Sequence, residues 1–194
     1  MQPLRADDLL SLEAYARQRA EFRQRAIAHK RVRTLHLGPH LTLLFEDRLT
    51  VQYQVQEMLR IERIFEPEGI ADELAAYNPL IPDGHNWKAT LMIEFADEAE
   101  RRRRLVVWRG IEHHFSLQVG ALPPVNAVAD EDLERSNDDK TSAVHFLRFE
   151  IDATMRAAAR AGAGIAFAAQ HADCSERSLL SVEQRAALLA DLDD

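Results

Sequence analysis

The sequence predicts an α+β fold: a mainly antiparallel sheet with an N-terminal helical segment and a hairpin leading into a central amphipathic helix. Three observations carry this expectation. Apolar residues switch from helical spacing to near-alternation at Thr34. Helical and strand-like stretches are mixed without strict β–α–β alternation. Gly-Pro, Pro-Asp-Gly and Pro-Pro punctuate the strand candidates, as turns require.

Between Asp7 and Arg33, Leu9, Leu12, Ala16, Phe22 and Ala26 recur among charges at close to helical spacing, with Asp7 or Asp8 as the cap. One long helix or two short ones fit. From Thr34 onward Leu35, Leu37, Leu41, Leu43 and Phe45 nearly alternate about Gly38-Pro39, which reads as two short antiparallel strands. If Gly38-Pro39 is a two-residue turn, His36 and His40 face opposite sides of the ribbon.

The central helix follows. Val51, Val55, Met58, Leu59 and Phe65 form its apolar stripe, Thr50 is its expected N-cap, and Pro67 and Gly69 end it. A second helix is expected over Ile70 to Tyr77, then a turn-rich stretch to Gly84, then a strand over Lys88 to Phe95 with Ala89, Leu91, Ile93 and Phe95 on one side. Asp97 to Trp108 returns to helix, where Glu98 and Glu100 can pair with the run Arg101 to Arg104.

Phe115–Val119 and Val125–Val128 are further strand candidates, and Asp130 to Lys140 has little to bury and reads as a mobile acidic loop. A strand over Ala143 to Ile151, a helix over Thr154 to Ala161 and a strand over Ile165 to Ala169 precede a last helix, Ser181 to Leu192. Ser181 and Gln184 have capping-box spacing there. The whole reads as a single domain: a helical segment over 1–33, the hairpin with two helices over 34–82, and mixed sheet and helices over 83–194.

A chain of 194 residues can bury a sizeable core. Its 24 Lys and Arg against 32 Asp and Glu give a net charge of −8, which argues against a general nucleic-acid or anionic-membrane surface. The basic run from Arg17 to Arg33 is interleaved with Glu13 and Glu21, so a solvated helix face is favoured over contact with RNA or an acidic partner. One cysteine, Cys174, excludes an intrachain disulfide and a Cys-rich metal centre. No stretch of about eighteen apolar residues reads as a membrane span, and the amino terminus lacks a signal-peptide core, so a cytoplasmic protein is expected.

No catalytic motif accompanies these elements. The densest polar set beside an apolar stripe is Glu46, Arg48, Tyr53, Gln54, Glu57 and Arg60, a network that could line a pocket for a small anion or set an acid beside a base. The competing expectation is a structural tie between Glu57 and Arg60 or Arg63. Among eight histidines, His36, His114 and His145 are the candidate ligands for a transition metal, although no HExxH, ExxH or Cys-pair spacing supports one. The sequence requires no cofactor. Cys174, with His171 and Asp173 beside it, forms only a weak nucleophile candidate.

The strings HLGPHLTLLFEDRLTVQYQVQEMLRIERI, AAYNPLIP, GIEHHFSLQVG and SAVHFLRFEI resemble an uncharacterised bacterial family of about this length. The resemblance spans nearly the whole chain. It implies a domain of unknown function encoded beside rubrerythrin-like di-iron proteins and iron–sulfur oxidoreductases. From that follows the expectation of an accessory protein in redox or peroxide stress, binding such a partner or forming a homo-oligomer. The alternative is a small metal- or anion-dependent enzyme built on a Glu, Arg, Tyr and His pocket. The resemblance implies no catalytic residue.

Overall fold

The computed structural model describes residues 1–131, 133, 135–137 and 139–193. Among them are six helices and nine strands, and every strand pair is antiparallel. One sheet has five strands in the order β1 (Thr34–Leu37), β2 (Leu41–Phe45), β3 (Asn86–Ile93), β7 (Val144–Glu150), β6 (Val128–Ala129). The other has four: β5 (Val125–Asn126), β4 (Phe115–Val119), β8 (Ile165–His171), β9 (Cys174–Leu179).

Alternation decides which side of the larger sheet faces the core. In β3, Trp87, Ala89, Leu91 and Ile93 are buried, while Lys88, Thr90 and Met92 are half-exposed on the other face. The inward residues meet Phe115, Leu117 and Phe167 of the second sheet, so the main core is a layer between two sheets. Phe167 packs on Phe45, Trp87 and Phe149 at centroid distances of 4.8 to 6.1 Å, the range aromatic pairs favour. The chain changes sheets at Ala127, between β5 and β6, and across the opposite seam Ser178 Oγ donates to the His36 carbonyl.

The helices α1 (Leu12–Arg31), α2 (Arg48–Glu62) and α3 (Pro67–Tyr77) build a second, smaller core around Leu4, Val51, Val55, Leu59, Leu74 and Ile81. A third layer thus overhangs the outer face of the five-stranded sheet. The three remaining helices are α4 (Glu98–Val107), α5 (Ala153–Arg160) and α6 (Val182–Leu189).

Several local expectations are corrected. Ser11 caps α1, because Asp7 and Asp8 belong to a separate 3-10 turn, Ala6–Asp8. Asp47, three residues before Thr50, caps α2: its Oδ1 accepts from the Leu49 and Thr50 amides, while Thr50 Oγ1 accepts in return from the Asp47 amide. Helix α2 stops at Arg63, in the left-handed conformation, and Pro67 opens α3 at its first turn, where a missing N–H costs nothing. Phe65 is therefore 68% exposed, outside the apolar stripe. Val125–Val128 is split between two sheets, and His113 and His114 lie in a 3-10 turn, Ile111–His114. Of the acidic stretch from Asp130 to Lys140, residues 132, 134 and 138 lie outside the described residues. No helix among the described residues is long and apolar enough to cross a membrane.

Candidate ligand-binding trough

The outward side chains of the five-stranded sheet form rows set by the strand register. Thr90 lies opposite Leu44 and Phe146, Met92 opposite Thr42 and Val144, Lys88 opposite Arg148, and His36 opposite Thr42. Because α2 and α3 cover this face only in part, the rows floor a trough with three connected cavities. The first, about 300 Å³, runs between Tyr77, Leu80 and the Lys88 and Arg148 end. The second, about 290 Å³, shares Tyr77, Leu80 and Phe146 with it and is reached by Glu46, Gln54 and Lys30. The third, about 760 Å³, shares Met92 with the second and is lined by His36, His40, Thr42 and Glu94.

Glu46 is the chemical centre of the middle cavity. It follows β2 and immediately precedes the α2 cap, so strand pairing and the helix N-terminus fix it from both sides. Its side chain is 8% exposed. Thr90 Oγ1 donates to Oε1 at 2.6 Å and Thr50 Oγ1 to Oε2 at 2.5 Å. Both carboxylate oxygens thus accept from neutral hydroxyls, and no ion pair among the described residues includes Glu46. Lys30 lines the same cavity, with its Nζ 5.5 Å from the Tyr53 ring centroid. At the neighbouring end, Lys88 Nζ donates to the Pro79 and Ile81 carbonyls at 2.6 and 3.0 Å, and burial pushes its ammonium below the usual lysine range.

The six side chains picked out near the central helix divide between sites. Glu46 and Gln54 face the cavity. Tyr53 stacks on Phe22 of α1 at 6.1 Å. Arg48 pairs with Asp8 at 2.6 Å. Glu57 is tied to α1: Arg19 grips both its oxygens at 2.8 Å, Tyr15 donates to it at 2.6 Å, and Arg60 reaches it at 3.2 Å. The Arg19 guanidinium, ahead of Tyr15 and Arg60, holds the Glu57 carboxyl down at about 2. Glu57 and Arg60 therefore clamp two helices, and among the described residues they do not share a cavity with His36.

The three histidines singled out as candidate metal ligands are likewise apart. His36 belongs to the third cavity, and the His114 ring packs edge-on against His171 at 5.2 Å. His145 points into the core side of β7, fully buried, where Glu112, Asp130 and His145 place ligand atoms within 4.8 Å of one another. That donor set suits a divalent cation in kind, but its hydrogen bonds are complete. His145 Nδ1 meets Asp130 at 2.6 Å, and Nε2 meets the Ser142 carbonyl and Thr141 Oγ1 at 3.1 and 2.8 Å. Ser136 and Thr141 donate to Glu112. Both ring nitrogens are thus engaged, and a cation would have to displace hydrogen bonds already made. No local spacing in the sequence marks Glu112 or Asp130 as its partners.

A second buried network underlies Glu46 from behind. Arg33, 2% exposed, donates to the Phe45 and Glu46 carbonyls at 3.0 and 3.3 Å and is paired with Asp191 and Asp47. His29 reaches the same Asp47 at 2.5 Å. Burial pushes the Asp191 carboxyl up to about 6, more than Arg33 beside it brings it down.

Residues 3–192 match the protein family described as "Protein of unknown function (DUF3501)". The chain belongs to this family. It is also similar, at 48% identity and a TM-score of 0.94, to a novel protein of unknown function from Burkholderia pseudomallei K96243 whose crystal structure was determined at 1.90 Å. The likeness covers 99% of this chain and 100% of that one. A search of curated proteins finds no match.

Proposed function

We propose that this member of the family is a non-catalytic binding protein, and that the Glu46 cavity takes a small ligand with an apolar body and a cationic, ammonium-type head. One observation carries the reading. A buried carboxylate, satisfied only by two hydroxyls and not paired with a cation, opens into a cavity walled by Leu44, Tyr77, Leu80, Met92 and Phe146. Buried charges are ordinarily paired, and a ligand cation would supply the missing partner. At roughly 30 Å³ per water-sized group, about 290 Å³ accommodates a ligand of this kind.

Calorimetric titration of the untagged chain with n-hexylammonium, hexanoate and 1-hexanol tests this. A charge-assisted hydrogen bond is worth about 1.5 to 3 kcal/mol, so the ammonium should bind about tenfold or more tighter than the alcohol. Glu46→Gln should abolish that preference, and Lys30→Ala should sharpen it by removing a competing cation. Hexanoate binding as tightly as hexylammonium would overturn the proposal.

An accessory role beside a rubrerythrin-like or iron–sulfur partner is a proposal of the same class. The single thiol supports placing any electron transfer in the partner, because burial pushes the Cys174 thiol up, away from the reactive thiolate. Co-purification of the untagged chain with those two proteins at micromolar concentration tests it, and failure to associate with either would remove it.

A further inference from the structure

We infer that His36 and His40 form a binding site for a divalent first-row transition metal at the tip of the β1–β2 hairpin, ligated through their two Nε2 atoms. The hairpin loop decides whether these rings can cooperate. Leu37 pairs with Leu41, so the loop is Gly38, Pro39 and His40, one residue longer than a two-residue turn. The extra residue places His40 on the cavity that His36 already faces.

The hydrogen bonds then select these two rings from the eight histidines. Thr42 Oγ1 donates its single proton to Glu94 Oε2 at 2.6 Å, so at 3.0 Å from His36 Nδ1 it can only accept. His36 therefore carries its proton on Nδ1. His40 Nδ1 lies 3.0 Å from the Glu94 carbonyl, an acceptor, and is protonated for the same reason. Both Nε2 lone pairs are left to the cavity. Metal-binding histidines characteristically donate the other ring N–H to a carboxylate-linked group or a backbone carbonyl, which orients the ring and raises its basicity.

The other rings lack this arrangement. His171 Nδ1 accepts from the Asp173 amide, which puts its proton on Nε2, both His145 nitrogens are engaged, and among the described residues His85, His113 and His114 make no ring hydrogen bond. His29 is committed through Nε2 to Asp47. His40 is further held by stacking on Phe95 at 4.0 Å, and His36, on the exposed face, is held by its hydrogen bond to Thr42. Glu94 acts through Thr42, outside the ligand shell. Arg101 on the same cavity would meet an anionic co-ligand at the open coordination positions.

Equilibrium dialysis of the untagged full chain against Cu²⁺, Ni²⁺, Zn²⁺ and Mn²⁺ reads the site. Imidazole ligands predict uptake near one equivalent, with copper tightest and manganese weakest. His36→Ala and His40→Ala should each abolish it. Thr42→Val, which frees the His36 tautomer while keeping its volume, should weaken it about ten- to a hundredfold. Glu112→Gln should leave it unchanged, with circular dichroism verifying the fold of every variant. No copper uptake at tens of micromolar, uptake retained in both histidine variants, or uptake lost in Glu112→Gln would each overturn the inference.

Discussion

Glu46, just ahead of the α2 cap, and Glu57, within α2, lie eleven positions apart, and their surroundings differ in kind. Glu57 is held by two arginines and a tyrosine, with its carboxyl pulled down to about 2. Glu46 is held by two threonine hydroxyls. A carboxylate whose charge is already answered by guanidinium groups can only fasten the scaffold. One answered by neutral donors keeps its charge available to a ligand. The contrast explains why the first belongs between α1 and α2 while the second opens on a cavity.

The largest effect that would sharpen this contrast is on stability. Glu57→Gln leaves Arg19 and Tyr15 without their shared acceptor and should cost about 2 to 3 kcal/mol, read as a lower urea midpoint at unchanged slope. Glu46→Gln keeps hydrogen-bonding capacity toward both threonines and should change stability by less than about 1 kcal/mol. Equal losses from the two substitutions would erase the distinction.

Acid titration separates the scaffold carboxylates next. Because the folded-state Glu57 value of about 2 lies below the ordinary 4.5, its contribution is full above pH 4.5 and disappears as pH falls through 2. Asp191 has the opposite sign. Its folded-state value of about 6 exceeds the ordinary 3.8, so its contribution is full below pH 3.8 and is lost as pH rises through 6. Asp191→Asn should flatten the stability profile between pH 4 and 6 by about 1 to 2 kcal/mol, whereas Glu57→Gln should flatten it only below pH 4.5. A wild-type profile with no slope in either window would contradict both assignments.

The smallest effect is expected in the run Arg101 to Arg104. Arg102 is paired with Glu98 one turn back at 2.6 Å, but its side chain is 77% exposed. Arg102→Ala should shift stability by less than about 0.5 kcal/mol. A larger loss would mean that the block carries more than a solvated helix face.

How much of this was legible in the sequence follows the range of the forces involved. Alternation in β3 and the Ser181–Gln184 capping box are written in neighbouring residues and appear where local spacing places them. Strand β9 gave no such signal. Cys174–Leu179 joins the sheet through its backbone, with small and charged side chains that show no apolar period. The site divides in the same way. Glu46 was singled out at the strand-to-helix junction and Gln54 along the helix, and the tie between Glu57 and Arg60 was among the expectations, but its partners Tyr15 and Arg19 were not, because they lie 42 and 38 positions earlier. The relation of His36 to His40 turned on one loop residue, since a shift of one position moves a side chain across a ribbon.

Arg33 has a bearing on how the molecule comes into being. It joins the Phe45 and Glu46 carbonyls to Asp191, a partner 158 positions away. During synthesis the ribosome must therefore deliver the chain as far as Asp191 before this guanidinium acquires its final counterion. Binding competence should accordingly wait until Asp191 has been delivered.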